Sequence, residues 1–329
     1  MRRGWWIAAG IAMMALMPVT RAAPPIVIAH RGASGYLPEH TLPAKALAVG
    51  QGADYVEQDV VATRDGVPVV LHDIHLDGVS DVAERFPGRA RADGRFYCAD
   101  FTLAELKSLA IVERFDHRDG AQIYPGRFPK DDGRLALATL EEELRFLAGL
   151  SKSLGRPVGI YPEIKQPAFH RQEGHDLARS VLDLLARSGY ATRADRCYVQ
   201  CFDPAEVRRI RRELGWQGNL VQLVGGDATE LVAGDGLARI AEVADGLGPA
   251  LELVIGKDGR ATDLVERAHA AGLVVHPWTA RRDALPRWAG SFDELMERLG
   301  GAGVDGVFTD FPDLAVAWRA RQPGDGGGR

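Results

Sequence analysis

Two strand-like runs near the N-terminus end in residues that could do chemistry together. The first, Ile26–Ala29, is apolar and leads into His30 and Arg31, and the second carries Glu57 and Asp59. Residues two apart on a strand point to the same face, so these two carboxylates lie side by side. Buried carboxylates in such a pair repel each other unless a cation compensates their charge. The pattern therefore predicts a polar cluster that contains a cation.

Two later strands are expected to complete this cluster. His72 ends one of them, and Glu163 and Lys165 lie two residues apart near the end of the other. Glu57, Asp59 and Glu163 together offer oxygen ligands with no thiolate nearby, a donor set that suits Ca²⁺ or Mg²⁺. These three carboxylates are the candidate metal ligands.

Histidines and cationic side chains indicate the type of reaction. His30 and His72 are the candidate acid and base, since imidazole titrates near neutral pH. Arg31 and Lys165 supply positive charge for an anionic substrate, and arginine is suited to bidentate contact with phosphate. A divalent metal, two cations and two histidines are typical of phosphoryl-ester cleavage.

The same residues allow other interpretations. A glycoside hydrolase also uses a pair of carboxylates. Lys165 could do no more than neutralise Glu57, and a histidine at a strand end is often structural. A glycoside hydrolase would, however, leave His30 and His72 without a role.

The order of elements predicts the scaffold. Apart from a flanking strand at 67–71, whose Pro68 favours an edge position, eight strands alternate with helices. This alternation predicts a TIM-type (β/α)8 barrel, with an open doubly wound sheet as the alternative. No glycine-rich phosphate turn follows a strand, which favours the barrel. Barrel chemistry lies at the carboxyl ends of strands, where we also expect Asp310 and two substrate contacts, Gln200 and Trp278.

One segment, at about 74–134, departs from this alternation. It is polar and aromatic, is rich in turn residues and contains one helix signal at Thr102–Leu109. Because it is too long for a simple loop, we expect an insertion after the second barrel strand that lines or covers the site.

Both ends of the chain are expected to lie outside the barrel domain at 24–320. Residues 1–23 combine an initial pair of arginines, Arg2 and Arg3, an apolar run too short to span a bilayer comfortably, and small residues before the expected cleavage site. This order indicates a signal peptide that is cleaved after Ala22 or Ala23, with an uncleaved membrane anchor as the alternative. Residues 321–329 are glycine-rich and are expected to be disordered.

Composition narrows the choice of partners. The chain has 329 residues and a net charge of −5, so a nucleic acid is not an expected partner. No stable membrane anchor is expected after signal cleavage, and a homodimer is left open.

Several motifs together resemble the glycerophosphodiester phosphodiesterase family, and they run in one order from about residue 26 to residue 318. The match to the exported bacterial branch is close, and it includes Tyr124–Phe128 and Gln200–Asp203. The main motifs are Ala29-His30-Arg31-Gly32-Ala33, Pro38-Glu39-His40-Thr41, Glu57-Gln58-Asp59-Val60, His72-Asp73, Pro162-Glu163-Ile164-Lys165 and Phe308-Thr309-Asp310-Phe311-Pro312.

This resemblance implies a TIM barrel that hydrolyses glycerophosphodiesters, such as glycerophosphocholine and glycerophosphoethanolamine, to sn-glycerol 3-phosphate and an alcohol. It implies metal ligands at Glu57, Asp59 and Glu163, with Ca²⁺ as the expected ion and Mg²⁺ as the alternative. It implies acid–base roles for His30 and His72. It also implies a periplasmic enzyme that takes part in the metabolism of glycerol and phospholipid breakdown products.

The substrate itself suggests a route for the reaction. A glycerophosphodiester carries a hydroxyl on the carbon next to the ester oxygen. One histidine could remove its proton while the other protonates the departing alcohol, and water would then open the cyclic phosphate. The non-enzymatic alternative is an exported binding protein that kept the barrel, but no candidate histidine or carboxylate is missing.

Overall fold

The computed structural model describes residues 24–322. The predicted signal peptide and residues 323–329 of the predicted tail lie outside this range. None of the helices within residues 24–322 combines the length and the apolar composition that are needed to cross a bilayer.

Parallel strands form the wall of a barrel. The strands within residues 24–322 are β1 (Ile26–Ala29), β2 (Tyr55–Ala62), β3 (Pro68–Val70), β4 (Gly159–Ile164), β5 (Tyr198–Cys201), β6 (Asn219–Val224), β7 (Gly246–Pro249), β8 (Val274–Val275) and β9 (Gly306–Thr309). All but β3 are parallel, and they pair in the order β8-β7-β6-β5-β4-β2-β1-β9.

Backbone hydrogen bonds close the barrel between β8 and β9, the two strands at the ends of this order. Asp305 N donates to Val275 O at 3.0 Å, and Phe308 N donates to Pro277 O at 3.0 Å. β3 pairs antiparallel with the end of β2, in the flanking position that Pro68 predicts. The predicted (β/α)8 barrel is confirmed.

Helices surround this wall, and their starts are encoded locally. Thr139 and Glu142 form a capping box, in which Glu142 N donates to Thr139 Oγ1 at 3.1 Å and Thr139 N donates to Glu142 Oε2 at 2.8 Å. The helices are α1 (Leu42–Gly50), α2 (Val82–Arg85), α3 (Leu103–Leu106), α4 (Leu140–Leu154), α5 (Pro167–Gln172), α6 (Leu177–Arg187), α7 (Pro204–Arg212), α8 (Gly236–Ala241), α9 (Leu251–Val254), α10 (Leu264–Ala270), α11 (Phe292–Gly301) and α12 (Pro312–Arg321).

The segment predicted as an insertion, at about 74–134, lies between β3 and α4. Its buried side chains, which include Phe101 and Leu106, form an apolar cluster together with residues of β2 and β3. Arg127 joins it to the barrel, because its Nη2 lies 2.7 Å from Asp310 Oδ2 and its Nε lies 2.8 Å from Asp283 Oδ2. The insertion therefore lies at the carboxyl ends of the barrel strands.

Aromatic side chains fill the barrel interior. Tyr161 is fully buried and stacks on Tyr198, with ring centroids 5.0 Å apart. Phe308 meets Tyr161 edge-on at 4.9 Å, and the Tyr161 hydroxyl lies 2.8 Å from His276 Nδ1. His276 is 2% exposed and belongs to this core, as expected for an imidazole hydrogen-bonded inside the barrel.

The uncharged state of His276 predicts a pH dependence of stability. Burial lowers its pKa from 6.5 to about 4, so the unfolded chain binds a proton below pH 6.5 that the folded protein does not. The free energy of unfolding should therefore fall as the pH falls, with about 2 kcal/mol from this residue between about pH 7.5 and about pH 5. His276→Gln should lose this contribution to the pH dependence of the unfolding free energy, as measured by urea unfolding at about pH 7.5 and about pH 5.

His117→Gln, which replaces an exposed imidazole of the insertion, is the matched control. It should keep the wild-type pH dependence. If His276→Gln also kept it, the imidazole of His276 would not be held uncharged by burial.

Candidate active site

The predicted site residues line one cavity at the carboxyl ends of the strands. Its volume is about 80 Å³. The structure brings together the whole predicted set, which is His30, Arg31, Glu57, Asp59, His72, Glu163, Lys165, Gln200 and Trp278. It adds lining residues that sequence reasoning missed, which are Phe202, Leu223, Thr279, Arg281 and Phe308.

Three buried carboxylates lie at the centre of this site. Glu57 and Asp59 come from β2, and Glu163 comes from β4, where the strand register pairs it with Asp59. One oxygen from each lies within 4.8 Å of the others. Burial raises the pKa of Glu57 well above its usual value, and the charge on Asp59 adds to that effect. The pKa of Glu163 rises to about 8, chiefly through burial.

Lys165 supplies part of the missing positive charge. Its Nζ lies 2.8 Å from Glu163 Oε1 and 3.6 Å from Asp59 Oδ1. Although burial acts to raise the pKa of Asp59, the ammonium of Lys165 helps to hold it well below its usual value. Glu57 instead accepts hydrogen bonds from Arg31 N at 2.9 Å and from Gln200 Nε2 at 3.1 Å. These contacts therefore do not favour the simpler interpretation, in which Lys165 neutralises Glu57.

The donor atoms of the cluster fit a divalent cation. Within residues 24–322, Asp59 Oδ1 and Gln200 Oε1 are buried and have no hydrogen-bond partner. Buried oxygens without a partner are costly, and an ion that takes oxygen ligands would satisfy Asp59 Oδ1, which belongs to the carboxylate cluster. Glu57, Asp59 and Glu163 are thus residues that could hold such an ion.

His30 is oriented by an aspartate from the far end of the chain. Its Nδ1 lies 2.6 Å from Asp310 Oδ1, and its Nε2 lies 3.8 Å from Glu57 Oε2. An ionised carboxylate only accepts hydrogen bonds, so Nδ1 carries the proton and Nε2 keeps its lone pair. The pKa of His30 is lowered to about 4, chiefly by burial and also by the charge on Arg31, against the opposing effect of Asp310. His30 is therefore an uncharged imidazole that is ready to accept a proton.

Asp310 is the orienting residue whose role the sequence did not predict. It was expected at a strand end, but nothing local identifies its partner 280 residues away. Arg127 Nη2 and Arg281 Nε each lie 2.7 Å from its Oδ2. Together with His30, these arginines hold the pKa of Asp310 below its usual range, although burial acts to raise it. Asp310 therefore stays ionised.

His72 reaches the cavity from the loop after β3, with 27% of its side chain exposed. Its Nδ1 lies 2.8 Å from Asp73 Oδ1, and Arg114 Nη1 donates to Asp73 Oδ2 at 2.7 Å. Burial lowers the pKa of His72, and the charges on Arg31 and Lys165 lower it further. The second histidine is therefore also uncharged near neutral pH, and solvent can reach it.

Arg31 is held in an uncommon backbone conformation. Its φ is +58°, a region that non-glycine residues rarely adopt and that often occurs at functional sites. Its Nη1 donates to Glu39 Oε2 at 2.9 Å, and its Nε lies 3.4 Å from Asp59 Oδ2. Glu39 also accepts from Arg114 Nη2 of the insertion at 2.6 Å. The insertion thereby helps to fix the guanidinium of Arg31 beside the carboxylates.

A larger cavity, of about 700 Å³, lies beside the first. Trp278, Thr279 and Arg281 line both cavities. Trp278 is held between them, because its Nε1 donates to Gly248 O at 2.9 Å and its ring meets Phe202 edge-on at 5.6 Å. The parts of a ligand that do not fit the smaller cavity therefore have room next to it.

Comparisons with known proteins match the chain to one family. The model of the glycerophosphoryl diester phosphodiesterase family matches residues 30–314. A glycerophosphodiester phosphodiesterase of Haemophilus influenzae is 44% identical over 322 residues, which cover 88% of each chain. One from Treponema pallidum is 40% identical, covering 88% of this chain and 90% of the relative.

A solved structure supports the fold. It is a phosphodiesterase of Oleispira antarctica in complex with the product sn-glycerol 3-phosphate, and it superposes with a TM-score of 0.64 at 22% identity. The match covers 90% of this chain and 96% of that one.

Proposed function

The chain belongs to the glycerophosphoryl diester phosphodiesterase family, and from that premise we propose how its residues carry out the reaction. The protein hydrolyses glycerophosphodiesters to sn-glycerol 3-phosphate and an alcohol. The observation that carries our proposal is the meeting of three buried carboxylates, two histidines and two cations in one cavity. A glycoside hydrolase and a non-catalytic binding protein are set aside.

Glu57, Asp59 and Glu163 are the proposed ligands of a divalent cation, and Ca²⁺ is the ion that we propose, with Mg²⁺ as the alternative. Their oxygens lie close together, and Asp59 Oδ1 is buried without a hydrogen-bond partner among the described residues, which supports this assignment. When bound, such an ion would polarise a phosphate oxygen as a Lewis acid. Arg31 and Lys165 would add their positive charge on the same phosphate.

His30 and His72 are the proposed base and acid. Asp310 holds the Nδ1 proton of His30, which leaves Nε2 free to take a proton from the glycerol hydroxyl. His72 is uncharged at rest and partly exposed, so it can take up a proton from solvent and then pass it to the departing alcohol. The hydroxyl then attacks phosphorus within the same molecule, which raises its effective concentration over that of free water. Water opens the resulting cyclic phosphate.

The remaining predicted contacts concern the position of the substrate. Gln200 donates to Glu57 through Nε2, so its unpaired Oε1 is the atom that we propose for a substrate hydroxyl. Trp278 lies between the two cavities, and the larger one is our proposed location for the alcohol part of the diester.

The first experiment measures sn-glycerol 3-phosphate released from glycerophosphocholine by the mature protein. EDTA should abolish the product, and Ca²⁺ should restore it, because the carboxylates need a compensating cation. The matched substrate has propane-1,3-diol in place of glycerol and therefore lacks the attacking hydroxyl, so it should release no choline.

Activity that survives EDTA would contradict the metal site. Rapid cleavage of the matched substrate would contradict the cyclic phosphate while leaving the overall reaction in place.

Asp310→Asn tests the orientation of His30. An amide can donate to Nδ1 and so permits the wrong imidazole tautomer, which should lower kcat by about 100-fold or more, with a smaller effect on KM. Asp283→Asn is the matched control, because Asp283 also binds Arg127 but lies outside the contacts of His30. Equal losses in the two variants would indicate that the contacts of Arg127, and not those of His30, matter for activity.

Export to the periplasm is proposed from residues 1–23. The protein recovered from the periplasm of a bacterial host should have an intact mass that begins at Ala23 or Pro24. An unprocessed mass in the membrane fraction would instead support the uncleaved anchor.

A further inference from the structure

A charged pair lies buried behind the carboxylates of the site. Lys45 from α1 and Glu143 from α4 have fully buried side chains, and Lys45 Nζ lies 2.9 Å from Glu143 Oε1. Gln58 Nε2 donates to the same oxygen at 2.9 Å. A buried lysine needs such partners, because an unpaired charge inside a protein is strongly unfavourable.

The ammonium of Lys45 has two further contacts, and both lead to the proposed metal ligands. It donates to the main-chain oxygen of Glu57, and it lies 3.3 Å from His40 Nδ1. On the other side of the ring, His40 Nε2 lies 2.7 Å from Asp59 Oδ2. One cation therefore reaches two adjacent ligand positions on β2, one directly and one through an imidazole.

The partners of His40 decide where its proton lies. An ammonium can only donate, so Nδ1 must accept from Lys45. An ionised carboxylate can only accept, so Nε2 must donate to Asp59. This hydrogen bond uses Oδ2 of Asp59, whereas Oδ1 is buried with no hydrogen-bond partner among the described residues.

We propose that Lys45 is a positioning residue of the metal site. It holds the main chain at Glu57 and, through the uncharged ring of His40, turns Asp59 so that Oδ1 faces the cation. Neither Lys45 nor His40 touches the cavity that receives the substrate, so their effect is on the affinity for the ion. This inference rests on the metal site of the proposed function and extends it to the residues behind it.

Variants can separate this role from a merely structural ion pair. Lys45→Met alone would leave Glu143 buried without its cation and could prevent folding. The test variant is therefore Lys45→Met/Glu143→Gln, which removes both charges and keeps an acceptor for Gln58. Glu143→Gln alone is the matched control, because Lys45 keeps its contacts with His40 and Glu57.

The main measurement is Ca²⁺ affinity of the metal-free protein by titration calorimetry. The double variant should bind Ca²⁺ about tenfold or more weakly, as expected when groups that orient metal ligands are removed. Glu143→Gln should bind Ca²⁺ like the wild-type protein even if its melting temperature falls. A double variant with wild-type affinity, or an equal loss in both variants, would overturn the proposal.

A second measurement is independent of the metal. A long-range ¹H–¹⁵N correlation spectrum of the wild-type protein should show His40 protonated at Nε2 and not at Nδ1, with its signals identified by their loss in His40→Gln. A proton on Nδ1 would overturn the proposal. If the wild-type protein binds no Ca²⁺, both this proposal and the proposed Ca²⁺ site are overturned. If the wild-type protein binds Ca²⁺ and the double variant binds it equally well, this proposal alone is overturned.

Discussion

The repulsion among three buried carboxylates is the constraint on which the rest of the site depends. Glu57, Asp59 and Glu163 bring one oxygen each within 4.8 Å of the others, and all three are almost completely removed from solvent. Such a cluster is stable only if positive charge and hydrogen-bond donors compensate it. The cations and imidazoles around it are best understood as that compensation, and a divalent ion would complete it.

Compensation comes from two sides of the carboxylates. Arg31 and Lys165 lie on the cavity side, where their charge is also available to an anionic substrate. His40 and Lys45 lie behind, between β2 and the helices, where they can act only on the ligands themselves. This division explains how the cations on the cavity side can bind an anionic substrate while the residues behind the carboxylates hold them in position.

The insertion is part of the site and more than a cover. Arg114 binds Glu39 and Asp73, and thereby supports both Arg31 and His72. Arg127 binds Asp310, which orients His30. Both histidines and Arg31 therefore depend on contacts from a segment that contributes no barrel strand. Substitutions of Arg114 or Arg127 should accordingly affect the reaction through the side chains that they hold.

The amino-acid sequence by itself determined the barrel and the carboxylates and histidines that line the cavity, because both depend on local patterns. Alternation with period two indicates which side chains share a face, and a (β/α)8 order indicates which strand ends meet. Only the tertiary structure decided which charges pair. Asp310 meets His30 across 280 residues of chain because β9 closes the barrel against β1. Lys45 lies on the buried face of α1, among residues that read as an ordinary amphipathic helix, because Glu143 of α4 packs opposite it. Such pairings depend on distances between elements that are remote in sequence, and no local pattern encodes those distances.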